Sequence, residues 1–190
     1  MNEPKNEIRF IDLFGGIGGF RLGIERANNN RTFHKTQTKN LQKDMSNSST
    51  SVWDGGKFSS FSCVWYCDSD KYAVQTYNKN FKENYEPTDI RQVKTSEIPD
   101  FDLLCAGFPC QAFSIAGKRR GFKDTRGTLF FEIARIAEAK RPSYLLLENV
   151  KGLLNHEKGE TFKTILQTLE ELGYEVQWVV LNSKFFGVPQ

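Results

Sequence analysis

Short apolar runs alternate along this chain with stretches whose apolar residues recur every three or four positions. The first run is Ile8 to Phe14, followed at helical spacing by Phe20, Ile24 and Ala27. A second run, Cys63 to Tyr66, precedes Ala73, Tyr77 and Phe81, a spacing that puts all three on one side of a helix. Phe101 to Ala106 and Tyr144 to Leu147 are the third and fourth runs, and their unbroken apolar character predicts strands covered on both faces. Between them, Leu129, Ile133, Ile136 and Ala137 mark a helix that should stop before Pro142, because proline disfavours helical backbone in the residue ahead of it. Phe162, Ile165, Leu166, Leu169 and Leu172 draw another helix, closed by Gly173. The last run, Tyr174 to Leu181, alternates apolar with polar residues better than the others, which predicts a strand nearer a sheet edge. Strands and helices in such alternation predict an α/β fold built on an open, doubly wound, mostly parallel sheet.

One segment stands outside that scheme. Asn28 to Ser62 is rich in Asn, Ser, Thr and Lys, with Phe33, Trp53, Phe58 and Phe61 its few large apolar residues. So little apolar surface does not offset chain entropy, and the segment is expected to be a mobile surface insertion within one domain. Lys35, Lys39 and Lys43 could touch nucleic acid there, although a plain solvated loop explains them as well.

Bulk composition adds only bounds. The chain has 190 residues, which suits a single domain, and its net charge of +3 permits a nucleic-acid partner without demanding one. The cysteines Cys63, Cys67, Cys105 and Cys110 lack the spacing of a zinc site, so no metal is expected. Nothing resembles a signal peptide or a membrane span, and a cytoplasmic, reduced protein is the expectation.

The candidate chemistry sits at the ends of the apolar runs, where open parallel sheets bind their ligands. Asp12 to Gly19, DLFGGIGG, turns from the first run into the first helix, and its glycines allow a ligand close to backbone N–H groups. It departs from GxGxxG, because Arg21 stands where the third glycine would, and this argues against a pyrophosphate-bearing dinucleotide. Asp68, just after the second run, is placed to accept hydrogen bonds from a ribose; a surface acid is the bland alternative. An adenosine-type ligand there leaves the third and fourth ends free for a second substrate. Cys110, in GFPCQ, would be the nucleophile, its thiolate favoured by Lys118, Arg119 and Arg120. Glu148, at the end of a buried strand, is expected to bind its proton tightly and so to share or donate one, unless it is merely a cap or an ion-pair partner.

FIDLFGGIGGFRLG, GFPCQAFSIAGKRRGFKDTRGTLFFEI, ENV and the terminal GVPQ together resemble the DNA (cytosine-5)-methyltransferase family, over nearly everything outside the insertion. The resemblance implies a Rossmann-like methyltransferase fold, S-adenosylmethionine as cofactor, double-stranded DNA as partner and a setting in restriction–modification. It implies that Phe14 stacks near the adenine, that Gly15, Gly16, Ile17, Gly18 and Gly19 wrap the methionine moiety, and that Asp68, with Ser69 beside it, holds the ribose. Asp89 and Ile90 would border the adenine edge, with Pro109 and Leu129 closing other sides. Where Asp68 stands the family usually carries Glu. Cys110 would add to carbon 6 of a cytosine flipped out of the duplex while Glu148 meets ring nitrogen 3. Gln111 and Ser114 would lie near that nucleotide. Lys118, Arg119, Arg120, Lys123 and Arg126, set among Gly117, Gly121 and Gly127, would form a mobile loop that closes on phosphates.

In that family GVPQ opens a QxRxR motif, and here Gln190 is the final residue. Both arginines, the target-recognition domain and a last helix are therefore expected to be missing. Three readings follow: a truncated sequence or gene, a subunit completed by a second polypeptide, or a remnant that binds cofactor or DNA without turnover. Ending inside a motif rather than in a linker favours the first. A nicotinamide oxidoreductase shares the predicted sheet but has no evident use for Cys110 with Glu148, and a transfer-RNA substrate is a variant within the same family.

Overall fold

The structure is a computed structural model that describes residues 7–29, 60–109 and 129–187. Its frame is a four-stranded sheet, all parallel, in which β1 (Glu7–Leu13), β2 (Ser60–Cys67), β3 (Leu103–Gly107) and β4 (Tyr144–Glu148) lie in the order β2-β1-β3-β4. Helix α1 (Gly19–Asn29) follows β1, α2 (Lys71–Phe81) follows β2, α3 (Leu129–Lys140) precedes β4, and α4 (Glu160–Glu171) comes after it. The chain moves from β1 outward to β2, then returns across β1 to β3, so the strand order reverses beside β1.

Strand side chains alternate between faces, and the two packing clusters follow that alternation. Ile11 and Leu13 of β1, Cys67 of β2 and Leu104 and Ala106 of β3 all join one cluster with Phe130, Ile133 and Ala137 of α3 and Ile165 and Leu169 of α4. Tyr66, the neighbour of Cys67, joins Val74 and Tyr77 of α2 in the other. Helices therefore cover both faces, as a doubly wound sheet requires. Local chemistry sets the helix limits: Asp70 caps α2 by accepting from the Tyr72 and Ala73 N–H groups at 2.8 Å each. Past α4, Gly173 takes φ 88° while its N–H and that of Tyr174 close on Glu170 and Leu169 carbonyls, so the sequence signal at Gly173 has its physical cause.

Three expectations need correction. β4 is not covered on both faces: Leu145 and Leu147 are half-buried on the α3–α4 side, while Leu146 is 45% exposed on the other. It is the edge of the described sheet, and among the described residues no strand pairs with its outer side. Residues 174–182 form no strand. Tyr174 and Val176 pack on the large cluster and Trp178 meets the Phe162 ring edge-on at 5.3 Å, but Val179, Val180 and Leu181 are exposed and no ladder holds them. The insertion is also narrower than its composition suggests. Asn28 and Asn29 continue α1, and Ser60, Phe61 and Ser62 pair with Glu7, Ile8 and Arg9; the rest, 30–59, lies outside the described residues.

Candidate functional site

The carboxyl ends of the strands carry the site. Just past β1 the backbone folds sharply, with Phe14 at φ 53°, Gly16 at 54° and Gly18 at 95°. Only glycine takes such angles freely, and Gly18 needs the absence of a side chain twice over, because a Cβ there would overlap the Phe81 ring of α2. Gly15 is packed just as tightly: a Cβ on it would come within 2.7 Å of the Asp12 carboxyl. Three bonds then pin the turn to β2: the Phe14 N–H donates to the Cys67 carbonyl at 2.8 Å, the Gly16 N–H to Asp68 Oδ2 at 2.9 Å, and the Tyr66 hydroxyl to the Gly16 carbonyl at 2.9 Å.

Asp68 thus holds the turn and its own loop together, since its second oxygen accepts from the Asp70 N–H at 2.8 Å. Each carboxylate oxygen keeps a further lone pair for a ligand. A cleft opens beside it, walled by Phe14, Cys67, Asp68, Ser69, Thr88, Asp89, Ile90, Arg91 and Leu129. Asp89 caps the short 3₁₀ turn 90–92, and the Arg91 guanidinium, 2.7 Å away, holds its carboxyl below the usual carboxylate range. Arg135 of α3 fixes that turn from behind, donating to the carbonyls of Ile90 and Val93 at 3.2 and 3.1 Å.

Beneath the glycine turn Asp12 is wholly buried, and nothing among the described residues donates to either of its oxygens within hydrogen-bond reach. Burial pushes its carboxyl up to about 7, against a smaller opposing pull from the Arg21 backbone and guanidinium farther off, and with Asp68 adding to the rise. Arg21 explains the departure from GxGxxG. Its side chain bridges Glu25 and Glu83 at 2.6 and 2.9 Å and sits 4.4 Å from the Phe81 ring centre, so this position ties α1 to α2 rather than admitting a phosphate. Among the strand thiols Cys67 and Cys105 are buried and Cys63 half-buried, and burial raises all three above the ordinary thiol value, Cys67 to about 12.

On the other side of β1, Glu148 ends β4 in register with Gly107, and its Oε2 lies 3.3 Å from where a Cβ on Gly107 would stand. It is exposed, not buried as its apolar neighbours suggest, because β4 is an edge strand. Asn149, the middle residue of ENV, donates from Nδ2 to the Phe108 carbonyl at 2.6 Å and so joins the ends of β3 and β4.

Of the residues singled out by sequence, Phe14, Asp68, Ser69, Asp89, Ile90 and Leu129 share one cleft, and Gly15, Gly16 and Gly18 form the turn beside it. Ile17 is exposed at the turn, Gly19 begins α1, and Pro109 is exposed past β3; none of these three lines the cleft. Cys110, Gln111, Ser114, Lys118, Arg119, Arg120, Lys123 and Arg126 lie outside the described residues, as do Lys35, Lys39 and Lys43. Sequence reasoning missed Asn149, Tyr66, Thr88 and Arg91. The ENV triplet was the available signal for the first; the others are placed by turns no periodicity reveals. Among the described residues no cluster of three or more His, Cys, Asp or Glu could hold a metal, and no helix is long and apolar enough to cross a membrane.

A glycine turn, a carboxylate just past the next strand and a cleft at the reversal of strand order form the kind of crevice in which open, doubly wound sheets hold ligands. The sequence model of the C-5 cytosine-specific DNA methylase family matches residues 8–190, and the chain belongs to that family. It is 48% identical over 185 residues to the Type II methyltransferase M.BanI of Aneurinibacillus aneurinilyticus, a match covering 97% of this chain and 36% of that protein. With the Type II methyltransferase M.HhaI of Haemophilus parahaemolyticus the identity is 43% over 183 residues, covering 96% and 46%. The S. pombe Dnmt2 methyltransferase structure shares the fold, with a TM-score of 0.64 at 21% identity, over 96% of this chain and 47% of its own. The chain thus spans less than half the length of these proteins. Family membership leaves the nicotinamide oxidoreductase reading without support.

Proposed function

We propose that this chain supplies the cofactor-binding and catalytic part of an enzyme that methylates carbon 5 of cytosine in double-stranded DNA, in a bacterial restriction–modification setting in the cytoplasm. The observation that carries the reading is the Asn149 bond to the Phe108 carbonyl together with the Gly107–Glu148 register. It supports the reading because Glu148 stands beside Gly107, two residues before Pro109 in the sequence.

The cleft suits S-adenosylmethionine by its donor set. Phe14, Ile90 and Leu129 offer an aromatic and apolar lining for an adenine, Asp68 has acceptor capacity left for ribose hydroxyls, and the turn from Gly15 to Gly19 offers backbone to the methionine end. When bound, that cofactor supplies a methyl carbon on a sulfonium, an electrophile too weak for the unactivated ring. Cys110 as thiolate adds to carbon 6, and Glu148 at ring nitrogen 3 balances the charge that this addition drives into the ring, which makes carbon 5 nucleophilic. Once carbon 5 is methylated, loss of its proton and expulsion of the Cys110 thiolate restore the base. None of these atoms is reachable in a stacked duplex, so the cytosine must be flipped out, at a cost of a few kcal/mol.

Because the chain spans under half of its relatives, turnover is proposed to need the rest of such an enzyme. The specific test is methyl transfer from a labelled donor to duplex DNA with and without that complement. Cys110→Ala should abolish transfer and leave cofactor binding within about twofold; retained transfer overturns the mechanism.

A further inference from the structure

The carboxyl end of β2 takes both backbone polar groups of Gly16. The Gly16 N–H donates to Asp68 Oδ2 and its carbonyl accepts from the Tyr66 hydroxyl, each at 2.9 Å. Tyr66 is nearly fully buried, and its ring stacks on Tyr77 of α2 with centroids 3.6 Å apart, so the hydroxyl reaches the turn from a fixed platform. Burial, with the Asp68 and Asp12 carboxylates adding to it, holds the phenol protonated well above its ordinary range, and the group stays a donor. The ring packing itself does not need that hydroxyl, since a phenylalanine would fill the same space.

A carbonyl fixed in this way fixes the next amide as well. The peptide between Gly16 and Ile17 is planar and trans, so its C=O and N–H point in opposite directions. With the carbonyl drawn to Tyr66, the Ile17 N–H faces away from the α2 layer, and no acceptor among the described residues takes it. Gly16, at φ 54°, is the residue in this turn whose backbone could most readily swing to another conformation if the clamp were released.

We propose that Tyr66 is a positioning residue for the cofactor: its hydroxyl, by holding the Gly16 carbonyl, presets the Ile17 N–H as a donor to the carboxylate at the methionine end of S-adenosylmethionine. The inference rests on that cofactor being the ligand of the adjoining cleft. The methionine end has one anionic acceptor, its carboxylate, whereas the adenosine end meets Phe14, Asp68 and Leu129. A preset amide spares the bound state the cost of ordering the turn, and the gain falls on the methionine end alone.

Two thioether ligands separate the ends, because S-adenosylhomocysteine carries the amino-acid end and 5′-methylthioadenosine lacks it. In calorimetric titrations of this chain, Tyr66→Phe should weaken S-adenosylhomocysteine about fivefold and 5′-methylthioadenosine less than about twofold, with the circular dichroism unchanged. A second measurement does not depend on how the variant folds: in the unsubstituted chain S-adenosylhomocysteine should slow exchange of the Ile17 amide about tenfold, and 5′-methylthioadenosine should leave it nearly as it was. Equal weakening of both ligands, undiminished binding of S-adenosylhomocysteine by the variant, or an Ile17 amide that this ligand does not protect overturns the inference and leaves the cofactor reading standing. An unsubstituted chain that binds neither ligand removes the cofactor reading, and the role of Tyr66 with it.

Discussion

A carboxyl group with no exposed surface and, among the described residues, no donor in reach resists ionisation, and Asp12 carries that cost under the glycine turn. Its folded-state value of about 7 lies above the ordinary 3.8. The folded protein therefore holds a proton that the unfolded chain releases, and stability falls as pH rises between these values, by on the order of 4 kcal/mol if the group acts alone. Asp12→Asn should flatten that slope, so urea unfolding at pH 5 and pH 8 should differ less than in the parent; a parent with no such slope refutes the assignment. Asn149 acts differently, through geometry. Removing its amide leaves the Phe108 carbonyl without its donor and loosens the approach to Cys110. A bond of this kind contributes roughly 1 kcal/mol, so Asn149→Ala in a transfer-competent assembly should lower kcat about fivefold. The KM for S-adenosylmethionine should stay nearly constant, and a loss confined to KM would mean that Asn149 serves the cofactor side instead.

The turn between β1 and α1 separates two neighbouring glycines by physical role. Gly18 sits at φ 95° against the Phe81 ring, whereas Gly19 opens α1 with nothing near its absent side chain. Gly18→Ala should cost roughly 1–3 kcal/mol from backbone strain alone and weaken cofactor binding. Gly19→Ala should be neutral or stabilising by about 0.5 kcal/mol, and thermal unfolding of the pair reads the contrast. Equal losses would place the strain elsewhere. These same elements show what could be read from the chain beforehand. The order of strands and helices, the stop before Pro142 and the close of α4 at Gly173 follow from local periodicity and punctuation, which act through neighbours in sequence. The gathering of Phe14, Asp68, Asp89 and Leu129 could be expected because strand ends converge wherever a parallel sheet forms. What stayed illegible depends on layers distant in sequence. Nothing in Tyr144 to Leu147 says that one face of β4 will be bare, and nothing in Tyr174 to Leu181 says that its alternation will find no ladder. Arg21 reads as a missing glycine until Glu83 and Phe81, sixty residues on, give it partners.

At the scale of the molecule, charge decides how DNA would be held. The net charge of +3 is small, and five basic residues against one acid between Ser114 and Arg126 account for more than all of it; elsewhere acidic and basic side chains nearly balance. A phosphate backbone would therefore be met mainly by that short stretch, because long-range attraction from the remainder is weak. Affinity that arises from phosphate contacts falls linearly with log salt, by about 0.9 for each contact. Replacing Lys118, Arg119 and Arg120 together by Gln should thus reduce the salt slope of duplex binding by about 2.7, as read by fluorescence anisotropy over roughly 50–200 mM salt. The change should be alike for different duplex sequences, since phosphates carry no sequence information. An unchanged slope would move the DNA contacts to another face of the protein, and a loss confined to one sequence would mean that these side chains read bases instead.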